Sequence, residues 1–143
     1  MASLVDTNVL VYRCDRRNPA KQERASEVLR RGAEEGSLFV PHQALVEFVA
    51  VTTRRRGDSG PILELPEALT VIDEFMLAYV VLFPSEAVVR SACTGAVVHR
   101  LPWYDAHLWA YADAYGIDEI LTEDTPSKPW CGTVRYTNPF LGL

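Results

Sequence analysis

Cysteine is scarce and unpaired in this sequence. The three present, Cys14, Cys93 and Cys131, lie far apart with no CxxC spacing. This argues against a disulfide framework or a thiolate zinc site and suits reduced thiols in a cytoplasmic protein. Long hydrophobic runs are missing too. No stretch approaches the roughly 18 apolar residues of a membrane span, and the opening "MASLVDTN" lacks the basic-then-apolar pattern of an export signal. There is no glycine-rich phosphate loop, which removes P-loop ATPases and dinucleotide enzymes. His42, His99 and His107 stand in no HExxH or Cys/His pattern, and no serine sits in a GxSxG setting, so zinc-protease and serine-hydrolase chemistry find no support. Only His107, two residues from Asp105, is placed to line a pocket. Internal repeats and low-complexity segments are absent.

What remains is a chain of 143 residues, 48% hydrophobic and 23% charged, as expected of a single domain over residues 1–143 with a substantial core. The net charge of −5 is unevenly spread. Residues 1–56 hold ten Lys/Arg against seven Asp/Glu, whereas residues 57–143 hold four against twelve. A basic rim beside an acidic pocket fits that split, so the negative total does not exclude a phosphate-bearing substrate.

Short apolar runs at 3–6, 37–40, 80–83 and 119–122 read as strands, with a last one in "TVRYTNPF". Between them, 19–36 carries Pro at its start, periodic Ala25, Val28 and Leu29, and Gly at its end, the signature of a helix. Further helices are predicted over 42–56, 67–79, 85–100 (Ser85 as cap) and 104–116, while "GDSGPILELP" and "EDTPSKPWCG" read as loops. Strands alternating with helices indicate an α/β architecture with a mainly parallel sheet covered on both faces.

The informative residues are acids in apolar company. Asp6 and Asp124 fall at or just past the carboxyl ends of predicted strands, the edge where parallel sheets bind ligands. Glu47 shares a helical face with Ala44, Ala50 and Val51, and Asp105 shares one with Leu108, Trp109 and Ala112. Each has a purely structural reading. Asp6 can cap the segment from Thr7, Asp105 suits a first helical turn, Glu47 can pair with an arginine, and Glu123-Asp124 can be an ordinary turn. The set weighs the other way, because acids gathered in a poorly solvated pocket without a cationic partner require protonation or a bound cation. All-oxygen ligands select hard ions, Mg²⁺ or Mn²⁺ first.

"LVDTNVLVY", "EFVAVTTRR", "LPWYDAHLWAYA" and "LTEDTPS…VRYTNPF", in this order and at these intervals, resemble the PIN domain, and more closely the VapC toxins of bacterial toxin–antitoxin pairs. The resemblance covers essentially the whole chain. It implies a three-layer α/β/α sandwich around a mainly parallel sheet of four to five strands, and a Mg²⁺- or Mn²⁺-dependent ribonuclease. The family's acidic quartet carries over as Asp6, Glu47, Asp105 and Asp124, and Thr7, Asn8 and Thr122 fall on positions that support the carboxylates. One departure is the pair of prolines and the Trp in "EDTPSKPWCG", which leaves Glu123 as an alternative to Asp124. The implied partners are RNA, a VapB-type antitoxin and a second copy in a homodimer. An RNA-processing nuclease without antitoxin, and a non-catalytic RNA- or metal-binding module, are the alternatives. From the charge split, Arg16 and Arg17 after Asp6, and Arg54 two predicted turns beyond Glu47, are expected to contact RNA. Phe48, Leu77 and Tyr79 are expected to contribute to an antitoxin groove.

Overall fold

Three residues, Ser3–Val5, form the strand around which the rest is ordered. In the computed structural model, which describes residues 1–143, this strand β1 is followed by α1 (Thr7–Cys14), α2 (Pro19–Glu35), β2 (Leu38–Pro41) and α3 (His42–Thr52). Then come α4 (Leu65–Ala78), β3 (Val80–Leu82), α5 (Glu86–Val98), α6 (Trp103–Tyr115), β4 (Glu119–Leu121), β5 (Trp130–Cys131) and β6 (Val134–Thr137). The sheet order is β3-β2-β1-β4-β6-β5, parallel throughout except for the β5–β6 pair.

Side chains alternate across the sheet, as a strand's two-residue period demands. Val5, Val40 and Leu121 join a cluster with α1, α2, α3 and α4, whereas Leu4, Leu82 and Ile120 pack with α5 and α6 on the opposite face. This is the three-layer sandwich expected. The α5–α6 pair packs so closely that a Cβ on Gly95 would stand 2.8 Å from the Trp109 ring, so glycine is required there. Trp109 is buried and donates its indole N–H to the Cys131 carbonyl at 3.0 Å.

The sheet has six strands rather than four or five. The extra one is Trp130–Cys131, inside the stretch read as a loop; it turns back at Gly132, whose φ of 60° is the left-handed conformation a tight hairpin uses. Two residues are too few to leave a periodic signal. Helix α1 is anticipated only as a segment that Asp6 can cap from Thr7, because eight residues rich in Val and Leu show no clear helical period. Helix α3 is shorter than predicted and ends at Thr52 rather than 56. Thr52 and Thr53 turn their hydroxyls back onto the carbonyls of Phe48 and Val49 (2.7 and 2.6 Å), and the Leu63 amide takes the Thr52 carbonyl at 2.9 Å. The chain leaves the helix before the three arginines.

Candidate active site

The register of the two central strands builds the site. Val5 of β1 is opposite Leu121 of β4, and the Asp6 amide continues the ladder to the Leu121 carbonyl at 3.0 Å. Asp6 and Thr122 therefore leave the sheet side by side. One Asp6 oxygen accepts the Thr7 amide at 2.6 Å and caps α1; the other accepts the Thr122 hydroxyl at 2.7 Å. The capping reading and the site reading of Asp6 are thus compatible, one for each oxygen.

Asn8 ties the two loops together. Its carbonyl oxygen accepts the Glu123 amide at 3.2 Å, while its NH₂ lies 3.1 Å from the Thr122 hydroxyl and 3.4 Å from Asp124 Oδ2. The Asp124 amide in turn donates to Thr122 Oγ1 at 3.0 Å. Glu123 points elsewhere. Tyr12 donates its hydroxyl to Glu123 at 2.5 Å and Lys21 forms an ion pair with the same carboxylate. Burial acts to raise the Glu123 pKa, but Lys21 and Tyr12 outweigh it and hold the carboxyl below its ordinary range. Asp124, not Glu123, lines the pocket.

Glu47 is held from both ends, by the Thr7 hydroxyl at 2.8 Å and by Gln43, one turn earlier on α3, at 2.9 Å. Gln43 also reaches the Tyr104 carbonyl at 3.3 Å, which joins the start of α3 to the start of α6, next to Asp105. Asp6, Glu47, Asp105 and Asp124 line one cavity of about 420 Å³. Asp105 and Asp124 are exposed at its rim, contrary to the inward position expected of Asp105; Asp6 and Glu47 lie deeper. None of the four forms an ion pair. Burial first, then the neighbouring Glu47 and Asp124 charges, push the Asp6 pKa up against the lowering effect of its hydrogen bonds. Behind it, the buried Tyr136 hydroxyl is pushed up chiefly by burial and further by Cys131, Asp105 and Asp6.

The arginines are placed differently from the expectation. With α3 ending at Thr52, Arg54 no longer continues the face of Glu47 and does not line the cavity; Arg16 does not either. Arg17 does, and so does Arg56, which was not among the expected contacts. Gln43 and Tyr12 were also passed over, although Gln43 stands at i−4 from Glu47 and Tyr12 at i+4 from Asn8, the spacing of shared helical faces. His107 packs edge-on against Trp103 (4.5 Å between centroids) and lines no part of the cavity. Phe48 is fully buried and meets Phe75 edge to face, and Tyr79 is tied to the Leu29 carbonyl, so only Leu77 of the expected groove trio stands out in solvent. No helix is long and apolar enough to cross a membrane.

The PIN domain family model matches residues 3–126. A DNA-bound VapBC structure from Salmonella typhimurium superposes with a TM-score of 0.71 at 14% identity, covering 97% of this chain and 98% of that one. VapBC2 from Rickettsia felis, bound to a DNA fragment from its promoter, gives 0.69 at 14% identity over 96% and 98%. No curated protein matches the sequence.

Proposed function

Because the chain belongs to the PIN domain family, we propose that it is a divalent-metal-dependent endoribonuclease and the toxin of a VapBC-type pair. One observation carries the reading: four carboxylates share one cavity, and no lysine or arginine neutralises any of them. Left alone, such a set repels itself, and the Glu47 and Asp124 charges add to the burial that chiefly raises the pKa of Asp6.

The donor set suits a hard cation in kind, being all oxygen. No three of these or any other acidic, His or Cys side chains stand close enough to enclose an ion. Mg²⁺ commonly accepts that arrangement, since it keeps several waters and takes one or two carboxylates together with substrate phosphate. Asp6 and Asp105 would hold the principal ion, with Asp124 alongside. When bound, Mg²⁺ or Mn²⁺ supplies acidified water and stabilises charge on the phosphate oxygens. The chain supplies orientation. Thr122 and the Thr7 amide fix both oxygens of Asp6, and Asn8 steadies Asp124 from the same helix turn. Thr7 and Gln43 aim Glu47, which orients the attacking water and receives its proton.

The two VapBC neighbours support a VapB-type antitoxin as partner, and the toxin role distinguishes this reading from that of an RNA-processing nuclease. The test is expression with and without a candidate VapB-type antitoxin, with sequencing of new 5′ ends in total RNA. The reading expects growth arrest and new ends only when the partner is missing. A chain that is harmless alone and creates no new ends would contradict it.

A further inference from the structure

Helix α1 runs between two kinds of charge. At its N-terminus stands Asp6; at its C-cap stands Asp15, followed by Arg17. Thr7, Asn8, Val11, Tyr12 and Asp15, spaced along one helical face, all line the cavity, so the cavity follows α1 from end to end. Eight residues at 1.5 Å each make that path about 12 Å long.

The far end is built rather than merely basic. Asp15 is only 6% exposed, and a carboxylate at a helix C-terminus opposes the macrodipole. Arg17 compensates, giving Nε and Nη2 to the two Asp15 oxygens at 2.8 and 2.9 Å, with its own amide at 3.1 Å. This two-pronged grip fixes the guanidinium plane and leaves its other edge uncommitted. Arg56 reaches the same cavity from the loop after α3; its side chain forms no hydrogen bond or ion pair, and its charge adds to that of Arg17 in lowering the Asp15 pKa. Of the other basic residues of this half, Arg13, Lys21, Arg24, Arg30 and Arg55 are engaged elsewhere (on Glu74, Glu123, the Pro139 carbonyl, Glu34 and Glu64), whereas Arg16, Arg31 and Arg54 are unpaired but do not line this cavity. An oriented guanidinium and an unpartnered one, at the end of a channel that begins at the acids, match the charge of a nucleic-acid backbone.

We infer that Arg17 and Arg56 form a phosphate subsite that holds the RNA strand away from the scissile bond. This rests on the ribonuclease reading for its substrate and adds the register in which the strand lies. At the 3.4 Å per phosphate of a helical strand, 12 Å is three to four phosphates, and fewer in an extended one. The subsite therefore contacts a single phosphate within about four of the cleaved bond.

The experiment uses the full chain and a short single-stranded RNA of mixed sequence. Affinity is read by fluorescence anisotropy in EDTA over a range of salt, and cleavage separately in Mn²⁺. Arg56→Ala, which breaks no hydrogen bond or ion pair within the protein, should weaken binding roughly tenfold and flatten the salt slope by about 0.7. Arg55→Ala removes the same charge from the same loop and should change much less. In cleavage of RNAs carrying one uncharged methylphosphonate, wild type should be sensitive at one fixed offset from the cut, and Arg56→Ala should lose that sensitivity. Equal losses for Arg55→Ala and Arg56→Ala, or no offset special to wild type, would overturn the subsite. Failure here is separable from failure of the ribonuclease reading: RNA gripped through Arg56 but never cut would sink the second and spare the first. Cleavage with Arg56→Ala binding like wild type would do the reverse.

Discussion

Asp6 shows how one side chain serves fold and chemistry together. Its cap on α1 needs only an acceptor, and asparagine caps about as well as aspartate. Its charge, in contrast, is opposed by burial and by Glu47 and Asp124. A carboxyl whose pKa is raised by folding binds its proton more tightly in the native state. Stability is then lost as pH rises from the unfolded value, near 3.8, through the native one, and stays lower above it. Asp6→Asn should therefore raise the metal-free Tm by a few degrees at pH 7 and have no such effect below about pH 3.8, while abolishing RNA cleavage. Thermal melts at both pH values check the first part; an unfolded or destabilised variant at pH 7 would mean that the charge is structurally required. Asp15 carries the opposite sign. Arg17 holds its carboxyl below the ordinary range, so its contribution is present at neutral pH and fades on acidification through the depressed pKa. Asp15→Asn should lower Tm at pH 7, with the loss shrinking on acidification.

At the scale of elements, what the sequence disclosed depended on how local the determining interaction was. Helix α2, opened by Pro19 and closed by the left-handed Gly36, lies within a residue of its predicted span because both signals are in the chain itself. The strand ends that place Asp6 and Asp124 were legible for the same reason: apolar runs stop at acids. Helix α1 was legible only in its cap, since Asp6 before Thr7 marked a start but the run Val9-Leu10-Val11 carries no helical period of its own. The end of α3 was misplaced because it is set by threonine hydroxyls and by a bond from Leu63, eleven residues on from Thr52. That error moved the expected phosphate contact to Arg54 and away from Arg56. The α5–α6 contact was equally hidden, as it depends on a glycine meeting a ring across two helices. Gly95→Ala should cost about 1–3 kcal/mol by overpacking against Trp109. Denaturant unfolding measures it; an unchanged midpoint would mean that the helices separate without penalty.

For the whole molecule, the net charge of −5 conceals a division of labour. The acids gather where β1 and β4 end, on α3 and at the start of α6; Arg17 and Arg56 lie one helix length away. The acids repel the scissile phosphate until a cation enters, while the arginines at the far end can hold the strand without one, so metal, carboxylates and the reacting phosphate are expected to act as one unit. The account predicts that the purified chain cleaves single-stranded RNA in Mg²⁺ or Mn²⁺, loses all cleavage in EDTA, and regains it when the ion is restored. The most direct measurement is that titration on wild type beside Asp6→Asn and Asp105→Asn, with circular dichroism to show that both variants remain folded. Cleavage that rises with metal in wild type and falls at least a hundredfold in both folded variants is the predicted result. Undiminished cleavage in chelator, or in either variant, would contradict it.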